Sequence, residues 1–131
     1  MDKYSRKHAK AGLKEKMPRL EIVPNQFKGY KITIIIPEYS SLCPRTSLPD
    51  TGTITIEYEP KKFFVELKSL KYYILAYRNL GIFYENAVNR IMKYFAKAVK
   101  PCWVIVRGEF NPRGGIKSII EARLGKVKFK K

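Results

Sequence analysis

"FFVELKSLKYYILAY", residues 63–77, begins as a strand and ends as a helix. Its first five residues form a short extended apolar piece. From Ser69 onward, Leu70, Tyr73, Ile74 and Tyr77 fall at i, i+3, i+4 and i+7, one face of a helix. Ser69 is of the right type to cap that helix, and Gly81 stops it after Asn79. A second helix is predicted over about 83–99, where Ala87, Val88, Ile91, Met92, Phe95, Ala98 and Val99 keep the spacing until Pro101 ends it. Upstream, "KITIII" (31–36) is a continuous β-branched run and reads as a buried strand ended by Pro37. "TITIEYE" (53–59) alternates, with Ile54, Ile56 and Tyr58 on one face and Thr55, Glu57 and Glu59 on the other. Between these strands lies a proline-stiffened loop that carries Cys43, Pro44, Pro49 and Gly52. Downstream, "CWVIVRGEF" (102–110) and "IKSIIEARL" (116–124) read as strands around the turn "NPRGG" (111–115). The order ββααββ predicts an α+β fold with an antiparallel four-stranded sheet and two helices.

The chain has 131 residues, enough for one domain with a substantial core. We expect a basic arm over 1–20, a catalytic domain over 21–124 and a basic tail over 125–131. Of the net charge of +16, residues 1–20 carry +5, residues 123–131 another +5 and the intervening 102 residues +6. Such an excess suits RNA, and it equally suits a solvated lysine-rich surface. No apolar run is long enough to cross a membrane, and no hydrophobic segment follows the basic N-terminus, so a cytoplasmic protein with reduced thiols is expected.

Chemistry has few candidates. The single histidine, His8, lies in the charged arm, and the two cysteines, Cys43 and Cys102, are far apart, so neither a metal site nor Cys–His catalysis is expected. Cys43 has Arg45 two residues on, which favours thiolate, and Asp50 seven on, which could exchange protons with a group on the sulfur. A free cysteine is also a good small hydrophobe, and that alternative stands. Lys68 and Lys71 bracket a predicted helix start and suit phosphates; Arg113 in the Gly-rich turn is a third such cation. Glu85, in the first turn of the second helix, could complement the helix dipole or accept two hydrogen bonds from an amidine-like edge such as that of guanine, with Phe83 against a flat ring.

"SLCPRTSLPD", "ELKSLKYY", "YRNLGIFYEN" and "FNPRGG" occur in an order and spacing that resemble the queuosine-pathway nitrile reductases, the 7-cyano-7-deazaguanine reductases of single-module type. The resemblance runs from Pro24 to Gly115. It implies a tunnelling fold, in which sheets of several copies join into a barrel with sites between subunits. It further implies that Cys43 adds to the nitrile carbon as a covalent thioimide and that Asp50 relays protons. Glu85, Glu66 and Phe83 would hold the deazaguanine, and Lys68, Lys71 and Arg113 the NADPH. The family usually has histidine before the anchoring glutamate; Tyr84 stands there and would act on the substrate by hydrogen bonding, since a phenol near pKa ~10 does not shuttle protons at neutrality. The rival implied by the same resemblance is an archaeosine-type amidinotransferase acting on tRNA, for which the basic termini are suited; its loss of the "ELKSLK" lysines is not seen here. A non-enzymatic RNA-binding module is a third reading, with no need for the Cys43–Asp50 pair. Zinc-dependent cyclohydrolases of this fold are disfavoured by the missing histidines.

Overall fold

A computed structural model describes residues 5–126. Its elements are α1 (Arg6–Ala9), β1 (Ile22–Pro24), β2 (Ile32–Leu42), β3 (Pro49–Glu59), β4 (Phe63–Val65), α2 (Leu67–Leu75), α3 (Tyr84–Val99), β5 (Trp103–Phe110) and β6 (Ile119–Gly125). The main sheet is antiparallel in the order β2-β3-β5-β6, and β1 pairs with β4 in a small second sheet. The expected α+β fold, with four strands and two principal helices, is the one observed.

The alternation in β3 decides which face becomes core. Ile54, Ile56 and Tyr58 are fully buried and meet Ala87, Val88, Ile91 and Phe95 of α3, joined by Val104 and Val106 of β5. The rings of Tyr58 and Phe95 lie edge to face with centroids 4.8 Å apart. Truncating Phe95, which is wholly buried, leaves a cavity under this sheet. Phe95→Ala is expected to cost about 3–5 kcal/mol, read as a lower denaturant midpoint at unchanged slope.

Four local expectations are corrected. Pro37 does not end the second strand: β2 continues to Leu42 through a register shift between Ile36 and Tyr39. It is an edge strand, so the missing proline N–H removes no ladder bond that the sheet needs. For the same reason "KITIII" is not buried on both faces, and Ile35 is 63% exposed. Glu66, rather than Ser69, caps α2, accepting from the amides of Lys68 (2.9 Å) and Ser69 (2.7 Å). The Ser69 hydroxyl instead donates to the Glu66 carbonyl and accepts from the Glu21 amide, tying α2 to the segment before β1. The last strand begins at Ile119, because Ile116 is drawn back into the turn by hydrogen bonds in both directions with Arg113.

The segment before β1 packs on the domain. Arg90 of α3 donates to the carbonyls of Gly12 and Glu15, Asn86 donates to the Ala9 carbonyl, and Leu20 is buried. Gly12 has φ +80, and a Cβ there would sit 2.6 Å from the Gly81 carbonyl oxygen and 2.7 Å from Ile82 Cβ. Glycine therefore lets the arm lie directly on the segment that leads into α3.

Candidate active site

Shortening of the loop brings the expected site residues together. With β2 extended to Leu42 and β3 starting at Pro49, only residues 43–48 turn the corner, and Ser41 pairs across the ladder with Asp50. The Cys43 amide donates to the Leu48 carbonyl (2.9 Å), and the Ser47 amide donates to the Cys43 carbonyl (2.9 Å). Ser47 takes φ 60, a left-handed conformation that the tight turn imposes. Two backbone bonds, Leu42 N–H to Leu80 O (2.9 Å) and Ile82 N–H to Leu42 O (3.0 Å), join the end of β2 to the segment that runs into Phe83, Tyr84 and Glu85. A third set fixes the "NPRGG" turn beside Asp50: the Asn111 amide reaches the Thr51 carbonyl (2.9 Å) and its side chain the Thr51 hydroxyl (2.7 Å).

Asp50 is 6% exposed. The Tyr84 hydroxyl donates to its Oδ1 at 3.0 Å, and an Arg113 guanidinium nitrogen lies 2.6 Å from the same oxygen. Tyr84 is aimed by stacking on Phe110, centroids 3.9 Å apart and rings 9° from parallel. That stack depends on Gly52, where a Cβ would come within 2.4 Å of the Glu109 carbonyl oxygen and 2.9 Å of Phe110 Cα. Burial, then the Asp50 carboxylate, push the Tyr84 phenol up to about 12, so at neutral pH it remains an O–H donor.

Cys43 is 9% exposed. Burial pushes its thiol up, and the nearby Asp50 adds to that, but hydrogen bonds from the Thr46 hydroxyl and from the Thr46 and Arg45 amides outweigh both and leave it below the ordinary thiol value. A thiol drawn down in this way has a larger thiolate fraction at neutral pH. Thr46→Val removes the hydroxyl contribution, so the midpoint of the pH dependence of Cys43 alkylation is expected to move to higher pH, with slower alkylation at pH 7. An unmoved midpoint would remove Thr46 from the activation of this sulfur.

Cys43, Asp50, Tyr84 and Arg113 thus gather at one end of β3, with Phe83 half-buried and Glu85 exposed at the adjoining start of α3. Glu66, Lys68 and Lys71 do not join them within one chain. Glu66 caps α2 just after β4, whose Val65 amide bonds the Tyr58 hydroxyl at the far end of β3 from Asp50, and Lys71 lines a groove with Ile34, Ile36 and Glu38 of β2. Lys68 and Lys71 are exposed, and neither takes part in an ion pair among the described residues. The backbone half of the expected phosphate site is already used, because the Glu66 carboxylate occupies the amides of Lys68 and Ser69; those bonds hold it below the usual carboxylate range. The cations remain free to take phosphate through their side chains.

Sequence reasoning missed two features behind Asp50. The buried hydroxyls of Tyr39 and Ser41 lie close to one another, without hydrogen-bond geometry to any partner among the described residues. Tyr39 and Ser41 share the buried face of β2, and Cys43 follows at the same spacing just past its end, a period of two that Pro37 masks in the sequence. Reading Arg113 only as a phosphate ligand also hid its pairing with Asp50.

Residues 49–128 match the family model described as "QueF-like protein". The chain belongs to the QueF-like family. A relative from Elusimicrobium minutum, named NADPH-dependent 7-cyano-7-deazaguanine reductase, is 48% identical over 124 residues, 94% of each chain. One of the same name from Chloroherpeton thalassium is 51% identical over 105 residues, covering 79% of this chain and 90% of the relative. Among solved structures, the apo form of an archaeosine synthase QueF-Like superposes with a TM-score of 0.67 at 23% identity, over 74% of this chain and 95% of that one. That likeness concerns the fold, which is the QueF-like tunnelling fold.

Proposed function

We propose that this chain is an NADPH-dependent 7-cyano-7-deazaguanine reductase that reduces the nitrile to 7-aminomethyl-7-deazaguanine. The observation that carries the proposal is the placement of a lowered-pKa Cys43 in the six-residue turn leading to a buried Asp50 held at one oxygen. The reductase reading is favoured over the amidinotransferase because the relatives at 48% and 51% identity carry the reductase name, whereas the archaeosine synthase stands at 23%.

Cys43 sulfur attacks the nitrile carbon, a C–S bond forms, and one C–N π bond becomes a nitrogen lone pair that must be protonated. With Tyr84 and Arg113 both on Oδ1, Asp50 keeps Oδ2 for that proton, collected from the thiol it faces across the turn. Once the thioimide carbon has gained the first hydride, the C–S bond breaks, thiolate is released and a C=N imine forms; the same carboxyl group would then protonate the imine nitrogen for the second reduction. Two NADPH molecules bound in turn would each supply one hydride, which with two protons would convert the nitrile to the amine. Glu85 and Glu66 accept hydrogen bonds from the guanine-like edge, Phe83 covers the ring, and Tyr84 keeps its proton and orients Asp50. Lys68, Lys71 and Arg113 suit the cofactor phosphates as cations of the right kind. The thiolate chemistry needs a reducing compartment, consistent with a cytoplasmic enzyme; no helix among the described residues is long and apolar enough to span a membrane.

The placement of Glu66 beside the end of β3 opposite Asp50 favours a site completed by a second copy. The exposed edges of β2 and β6 would pair with other chains, bringing Glu66, Lys68 and Lys71 of one subunit to Cys43 of the next. Cys43→Ala and Glu66→Ala proteins, each inactive alone, are then expected to recover activity when refolded together, up to about a quarter of the parent value from random pairing. No recovery would place all site residues in one chain. The reading itself is tested by mixing protein, 7-cyano-7-deazaguanine and NADPH: nicotinamide absorbance should fall by two equivalents per product. Ammonia-dependent change of modified tRNA without NADPH oxidation would overturn it.

A further inference from the structure

We propose a polyanion-binding track on the helical face, away from Cys43 and Asp50, that takes the phosphate backbone of RNA. Three clefts run into one another there. The first, about 620 Å³, is lined by Lys61, Lys62, Lys100 and Lys126 with Phe63 and the half-buried Cys102, and by no carboxylate. It shares Lys100 with a second, about 940 Å³, which adds Lys16, Arg19 and Lys97 and contains the acids Glu15 and Glu21. The second shares Arg90, Tyr94 and Lys97 with a third, about 550 Å³, that adds Lys93 and again no carboxylate.

Two independent observations point to a ligand rather than to solvation alone. First, none of the lysines lining these clefts is in an ion pair among the described residues, and the carboxylates that line them are confined to Glu15 and Glu21 of the second. Second, Lys100 ends α3 at φ 53 and ψ 56, where glycine is the relaxed choice and a side chain costs about 1 kcal/mol. A strained lysine at the junction of two cationic clefts is explained if its ammonium has a partner. Lys93, Lys97 and Lys100 stand at i, i+4 and i+7, about 10 Å along α3, a span that reaches neighbouring phosphates of one strand. A bilayer fits less well: Leu13, Ile22 and Leu124 are single exposed apolar residues scattered among the cations, without the continuous apolar face an interfacial helix uses.

The test is fluorescence anisotropy of a short RNA duplex with the full chain at 50 to 200 mM salt. About four phosphate contacts predict a slope of log K on log salt near −3, or roughly 60-fold weaker binding over that range. The triple variant Lys93→Gln, Lys97→Gln, Lys100→Gln should bind at least about tenfold more weakly at 50 mM with a shallower slope, while Lys117→Gln, on the sheet side, should not. Reduction of the free base should be unchanged in the triple variant, which separates failure of this proposal from failure of the catalytic one. Absent binding at 50 mM, an unaltered slope in the triple variant, displacement by equimolar inorganic pyrophosphate, or tighter binding to anionic-lipid vesicles than to RNA would each overturn it.

Discussion

Cys43→Ala is expected to abolish turnover, by more than about 10³-fold, because no other group on the described chain can form the covalent intermediate. Cys102 is the other thiol; it opens β5 beside Trp103, and its amide is bonded to the Glu59 carbonyl, at the end of the sheet opposite Asp50. Intact-mass measurement of protein mixed with the nitrile alone should therefore show one adduct in the parent chain and in Cys102→Ala, and none in Cys43→Ala. An adduct that survives Cys43→Ala would remove the sulfur from the chemistry. The substitution is mild for the fold, since it only trims one atom at the rim of the core, so loss of activity with an unchanged melting temperature reports chemistry and not stability.

Asp50→Asn separates geometry from proton transfer. The amide keeps an acceptor oxygen for Tyr84 at 3.0 Å and for Arg113, so the stack on Phe110 and the "NPRGG" turn retain their supports. What it loses is the ability to take a proton from sulfur and give it to nitrogen. Turnover is expected to fall about 10²–10⁴-fold, the usual range for a general acid–base, while alkylation of Cys43 by a neutral reagent persists. A loss below tenfold would show that the proton reaches nitrogen by another route, for which the buried hydroxyls of Tyr39 and Ser41 are the adjacent candidates.

The fold was largely legible before any coordinates. Alternation in "TITIEYE" placed Ile54, Ile56 and Tyr58 inside, and the helical spacing of Ala87, Val88, Ile91 and Phe95 supplied the face that covers them. Local rules misled where a tertiary neighbour altered the cost of a choice. Pro37 breaks strands in general, yet an edge strand with a bulge tolerates it. Ser69 is a better generic cap than Glu66, yet its hydroxyl was needed by Glu21. The three-residue strand β1 is too short to carry a period and exists because it finds β4, the extended piece that the sequence does show.

The residue types required for nucleophile, proton carrier and phosphate contacts, and their order along the chain, belong to the sequence, because periodicity and chemical type are one-dimensional properties. The register of β2 on β3, the convergence of Tyr84 and Arg113 on one oxygen of Asp50, and the distance that keeps Glu66 and Lys68 from Cys43 do not. Those are set by hydrogen bonds and packing between residues dozens of positions apart, whose free energies appear only when the sheet and helices have closed on one core.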